Sequence, residues 1–157
     1  MKLYLDNAAT TPVRSEVLRE MISSLKYFGN SESKFYDVAE NAKKMIDEAR
    51  NTIARCVGCD ADEVVFTSGA TESNNLVLKG SAYSSNKKTL IISEIEHSSV
   101  DTTAEYLESL GYTIIKVPVD KNGLIDLEFL KKAINNDTFL VSIIWVNNDT
   151  SGFPGRD

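Results

Sequence analysis

Four short runs rich in β-branched and aliphatic residues punctuate the chain: residues 64–67 (VVFT), 89–93 (TLIIS), 113–117 (TIIKV) and 139–144 (FLVSII). Each has the length and branching of a buried strand. Between them lie segments with helical spacing, at about 71–83, 98–110 and 127–135. Asp126 is placed to cap the last of these, and Asn122-Gly123 marks a turn before it. This alternation implies an α/β fold, a mostly parallel sheet flanked by helices in three layers. Upstream, residues 15–27 set Val17, Leu18, Met21, Ile22 and Leu25 on one helical face, with Ser15 as a cap and Gly29 past the end. Residues 38–57 repeat that pattern, with Asp37 and Glu40 as a capping pair and Gly58 as the stop.

In parallel sheets, ligands gather beyond the carboxyl ends of the strands. Three polar clusters fall at those ends here: Ser68-Gly69-Ala70-Thr71, Glu96-His97-Ser98 and Asn147-Asn148-Asp149. In the first, Gly69 permits a tight turn and a close approach of the backbone. The helix that follows starts with free amides. The amides of Ala70 and Thr71, with the Thr71 hydroxyl, supply three donors for a phosphate. Glu72 suits the helix dipole and is expected to point away from such an anion. The ending Gly-Lys-Ser/Thr of a Walker loop is absent. Taken alone, the stretch reads equally as a phosphate cup or as a plain N-cap.

His97 is the one histidine of the chain. By itself it is as compatible with packing as with chemistry. At a strand end, in the same layer as residues 68–71, a flat imidazole can stack on a ligand ring or move a proton near neutral pH. Glu96 reads as solvated. Asn147 and Asn148 can donate and accept hydrogen bonds, or form a polar turn.

Composition narrows the function classes. With 17 Lys and Arg against 23 Asp and Glu, the net charge is −6, which argues against nucleic acid or an anionic membrane as the main partner. The longest apolar run, at 139–146, is too short to span a bilayer, and the N-terminus lacks a signal-peptide core. The chain reads as cytoplasmic. Two cysteines, Cys56 and Cys59, are too few for a disulfide scaffold. Their CxxC spacing invites a redox or metal reading, but no second pair supplies the remaining metal ligands. Cys56 fits the apolar face of its helix and is expected to be a buried thiol.

Five segments in order, LYLDNAATTP, FGNSES, FTSGATESNNLVLKG, IEHSSV and VSIIWVNND, resemble motifs of the cysteine desulfurases of the NifS/IscS type, within the class V aminotransferases. The resemblance runs along nearly the whole chain. It implies the large domain of a type I pyridoxal-phosphate transferase fold, present in part. Residues 1–14 would be an N-terminal active-site segment, and 15–157 the N-terminal part of the cofactor-binding domain, ending before the Schiff-base lysine. Ala70 and Thr71 would bind the cofactor phosphate. His97 would stack on the pyridine ring and act as acid or base. Asn148 would lie near the cofactor's phenolic oxygen and the substrate carboxylate. Residues 7–11 would sit at the mouth of the site. No metal is implied.

For the complete enzyme, the resemblance implies that L-cysteine is converted to alanine with pyridoxal phosphate as electron sink. A cysteine thiolate takes the sulfur as a persulfide. A sulfur-acceptor protein, with iron–sulfur cluster assembly or another thiolation as destination, and a homodimer follow from the same family. Departures lie at residues 31–38, at Asp149 where the motif has Glu, and in the tail beyond it. None of the lysines matches the Schiff-base motif, and neither cysteine matches the nucleophile loop. The chain is therefore expected to be inactive alone and to aggregate or dimerise through uncovered apolar edges. The alternatives are a related class V enzyme, such as a selenocysteine lyase, and a non-catalytic phosphate-binding or interaction remnant.

Overall fold

The computed structural model describes residues 3–147. The chain divides after Phe66 into two compact units. The first holds α1 (Ser15–Ser24), α2 (Asp37–Val57) and a single 3-10 turn (Ala61–Glu63). The second holds α3 (Ala70–Ser84), β1 (Thr89–Ser93), α4 (Ser98–Ser109), β2 (Thr113–Val117), α5 (Leu127–Ala133) and β3 (Thr138–Ser142).

In the first unit both helices form where the apolar periodicity places them, but their starts differ. Arg14 and Tyr36 occupy the N-cap positions, neither with a side-chain cap. Ser15 and Asp37 are instead the first helical residues, and Asp37 and Glu40 serve the positive end of the α2 dipole. Gly58 ends α2 with φ 76°, its amide bonded to the Ala54 carbonyl at 2.8 Å. This is the left-handed conformation that a glycine stop supplies without steric cost. Gly29 is fixed by packing: a Cβ there would lie 2.3 Å from the Val38 carbonyl oxygen. Cys56 is exposed, contrary to the expectation of a buried thiol, while Cys59 is half-buried; both are free. The buried side chains of α2 are Ala39, Ala42 and Ala54. Cys56 follows Ala54 by two residues, about 200° further round the helix, and so leaves that face.

The run at 64–67 is not a strand. Branched residues supply the propensity, but a strand exists only with a ladder partner, and among the described residues this run has none. It is tied to α2 instead. The Arg50 guanidinium donates to the Val64 carbonyl and lies over the Phe66 ring, 5.0 Å from its centroid.

The second unit is built on a parallel three-stranded sheet in the order β2-β1-β3. Thr89, Leu90 and Ile91 of the central strand face Thr113, Ile114 and Ile115 of β2. A register irregularity follows Thr89 on the β3 side, after which Leu90 faces Leu140. Alternation sends Leu90 and Ile92 to one face, where they join Leu78 and Ala82 of α3, Val100, Ala104 and Leu107 of α4, and Tyr112. Ile91 points to the other face and is equally buried, so β1 is covered on both sides. The Tyr112 hydroxyl reaches the Ala82 carbonyl at 3.0 Å, and its ring meets Phe139 edge-on at 5.7 Å. Asp126 caps α5 by accepting the Phe129 amide at 2.8 Å. Gly123 makes its turn at φ 79°. No helix among the described residues is long and apolar enough to cross a membrane.

Candidate functional site

The topology selects one end of the sheet. β1 continues into α4 and α3 returns into β1 through residues 85–88, so the N-termini of both helices lie at the carboxyl end of β1. In the order β2-β1-β3, the chain leaves β1 toward one neighbour and reaches β3 on the other side. The crevice between β1 and β3 is therefore the switch point at which open parallel sheets bind ligands.

Two side chains tie the loops across that crevice. Glu96 Oε1 accepts the Ser93 hydroxyl and the Ile144 amide, both at 2.7 Å. The Asn147 side-chain amide donates to the Ile95 carbonyl at 2.8 Å, and Asn147 is 6% exposed. Glu96 is thus a clamp between the ends of β1 and β3, not the solvated residue that the sequence suggests. Asn147 is a structural tie. Its neighbour Asn148 lies outside the described residues.

Beside the crevice is the start of α3. Its first intrahelical bond runs from the Ser73 amide to the Gly69 carbonyl at 3.1 Å. The amides of Ala70, Thr71 and Glu72 therefore have no partner within the helix. The turn before them is held by its own side chains. Thr67 and Ser73 share a hydroxyl–hydroxyl bond of 2.8 Å. Glu72 Oε2 accepts the Ser68 amide at 2.7 Å and the Ser68 hydroxyl at 2.6 Å. Glu72 therefore turns back onto the turn, where it was expected to point away. The Ser68 hydroxyl, then its amide, hold the Glu72 carboxyl below the usual carboxylate range. Ser68 is thereby used internally, which leaves the Ala70, Thr71 and Glu72 amides and the Thr71 hydroxyl as the donors of this helix start. Gly69 has φ 161°, an extended conformation open to any residue, and a Cβ there meets nothing within 4 Å. The turn itself does not require glycine; the space beside Gly69 is open. Open space, unpaired amides and a hydroxyl at a helix start fit an anionic oxygen cluster such as a phosphate.

His97 is the N-cap of α4, with Nδ1 accepting the Ser99 amide at 3.1 Å. The buried Ser99 hydroxyl lies 2.9 Å from the same nitrogen. Asn74, in the second turn of α3, donates from Nδ2 to Ser99 Oγ at 2.8 Å. These bonds bring the phosphate-like helix start and the histidine into one cluster, although 25 residues separate Asn74 from Ser99. The structure thus gathers Ala70, Thr71 and His97 at one end of the sheet. Among the described residues no group of three or more His, Cys, Asp or Glu is placed to hold a metal. Sequence reasoning gave Asn74 and Ser99 no role and read Glu96 only as solvated. The only available signal was their closeness to Thr71 and His97.

The model of the aminotransferase class-V family matches residues 3–153. Cysteine desulfurase IscS of Buchnera aphidicola subsp. Acyrthosiphon pisum (strain 5A) is 49% identical over 152 residues, covering 94% of this chain and 38% of that protein. Cysteine desulfurase IscS of Neisseria gonorrhoeae (strain ATCC 700825 / FA 1090) is 47% identical over 150 residues, 94% of this chain and 37% of that protein. Among solved structures, a NifS-like protein superposes with a TM-score of 0.89 at 41% identity, over 94% of this chain and 41% of its own. SspA in complex with cysteine gives 0.85 at 41% identity, over 93% and 43%. The chain spans about two fifths of the length of the curated relatives it matches.

Proposed function

This chain belongs to the aminotransferase class-V family, and on that premise we propose that it carries the phosphate- and ring-binding part of a pyridoxal-phosphate site in a cysteine desulfurase. The observation that carries the reading is the cluster at the carboxyl end of β1, where the unpaired amides of α3 stand beside the histidine cap of α4. When bound, the cofactor supplies an electron sink for an amino-acid substrate. The chain's own residues do the rest of what is assigned here. Ala70 and Thr71 hold the phosphate through their amides, helped by the Thr71 hydroxyl and the positive end of α3. Imidazole of His97 packs against the ring and handles a proton at Nε2, since Nδ1 is engaged by Ser99. Asn148 is assigned to the cofactor's ring oxygen and the substrate carboxylate.

L-cysteine as substrate is supported by the relatives' activity and by the neighbour solved with cysteine. The reading extends to a homodimer, in keeping with the exposed apolar side chains of α1, to a sulfur-acceptor protein such as one serving iron–sulfur assembly, and to a cytoplasmic setting, in keeping with two free thiols. It assigns this chain no cofactor-linking lysine and no sulfur-accepting cysteine. Cys56 and Cys59 lie at the end of α2 and just beyond it, in the other unit.

Equilibrium dialysis tests the phosphate assignment. Pyridoxal phosphate is expected to bind saturably and to be displaced by inorganic phosphate, while pyridoxal without the phosphate binds far more weakly. Removing one hydrogen bond to a charged acceptor, as in Thr71→Ala, is expected to weaken binding about tenfold. Equal binding of the two pyridoxal forms would defeat the assignment.

A further inference from the structure

We propose that Ser99 is a positioning residue that fixes which nitrogen of His97 carries the proton, so that the neutral imidazole presents an N–H, and not a lone pair, at Nε2. The inference deepens the reading above and rests on it only for the purpose that the N–H serves. The argument is one of donors and acceptors. The Ser99 amide can only donate, and it points at His97 Nδ1 from 3.1 Å. A proton on Nδ1 would face that amide, donor against donor, so Nδ1 is the acceptor and the proton sits on Nε2. The Ser99 hydroxyl adds to this bias. Its oxygen already accepts from Asn74 Nδ2 at 2.8 Å, which leaves its own hydrogen free for Nδ1, 2.9 Å away. Asn74 thus orients Ser99, and Ser99 orients the ring.

The consequence is chemical. Ser99 is only 8% exposed and His97 is exposed, so the relay is covered while the ring edge with Nε2 is open to a ligand. A neutral His97 locked this way meets its ligand as a hydrogen-bond donor and proton donor. It can take up a proton at Nε2 only after giving that one away. Asn74 therefore couples the phosphate-binding helix to the protonation geometry of the group at the start of α4.

Because His97 is the one histidine, labelling the 157-residue chain with 15N-histidine gives a single pair of imidazole nitrogen resonances. They are readable in solution or in a sedimented solid, and no cofactor is needed. At a pH where the ring is neutral, the pair is expected to be widely separated, with the proton on Nε2. Ser99→Ala removes one of two donors to Nδ1 and is expected to raise the minor tautomer about fivefold, narrowing the separation. Asn74→Asp keeps the size of the side chain but turns the bond round, drawing the Ser99 hydrogen away from His97, and is expected to narrow it similarly. A wild-type proton on Nδ1, or variants that leave the separation unchanged, would overturn the proposal. Loss of pyridoxal-phosphate binding with the tautomer lock intact would instead count against the cofactor reading alone.

Discussion

Leu107→Ala is expected to destabilise the second unit by about 3 kcal/mol, the usual cost of truncating a fully buried leucine in a core that relaxes only in part. Leu107 has no exposure and sits on α4 among Leu78, Ala82, Leu90, Ile92, Val100, Ala104 and Tyr112. The lost methyl groups belong to a cluster drawn from α3, α4, β1 and Tyr112 of the loop between α4 and β2. Leu110, three residues on and half exposed, is the control: Leu110→Ala is expected to change stability by no more than about 0.5 kcal/mol. Urea unfolding read in the second unit measures both. A cost under about 1 kcal/mol for Leu107→Ala would mean that α4 is not docked as described, and His97 at its start would lose its defined position.

The second large effect concerns the crevice. Glu96→Ala removes the acceptor of both the buried Ser93 hydroxyl and the Ile144 amide. Bonds to a charged acceptor are the stronger kind, and two donors are left to find water. Partial exposure of Glu96 tempers this, and a loss of about 2 kcal/mol is expected. The local signature is sharper than the global one. The Ile144 amide should exchange with solvent much faster in Glu96→Ala, while the amides of Ile91 and Ile92 slow or quicken only with global stability. Glu96→Gln keeps an oxygen acceptor without the charge and should fall between. Unchanged exchange at Ile144 would remove Glu96 from its role as the clamp between β1 and β3.

The sheet and its helices were legible because their signals are local. The strands at 89–93 and 113–117 are bounded by the residues that the branched runs mark, and β3 begins one residue earlier than its run and ends two residues sooner. Asp126 and Gly58 announce their caps by residue type alone. What the sequence did not disclose depends on partners distant in the chain. The run at 64–67 has strand propensity, but a ladder needs a neighbour, and Arg50 holds it to α2 instead. Glu96 looked solvated because its partners include an amide 48 residues away. The Asn74–Ser99–His97 relay joins two helices that no short-range pattern connects. The caps expected at Ser15 and Asp37 failed for a smaller reason: each helix starts one residue earlier, with Arg14 and Tyr36 at the N-cap positions. Ala70, Thr71 and His97 could be picked out because each follows a strand-like run at the start of a helix. Asn148 was singled out only by the family resemblance, since the residues alone left Asn147 and Asn148 open between a site and a polar turn.

The role proposed for this chain is to bind the cofactor by its phosphate and ring without linking it covalently. The most direct test is to saturate the chain with pyridoxal phosphate, reduce with borohydride and map every adduct by mass spectrometry. The account predicts saturable binding with scattered or absent lysine adducts. A stoichiometric adduct on one lysine would contradict it, because the chain would then build its own covalent link to the cofactor.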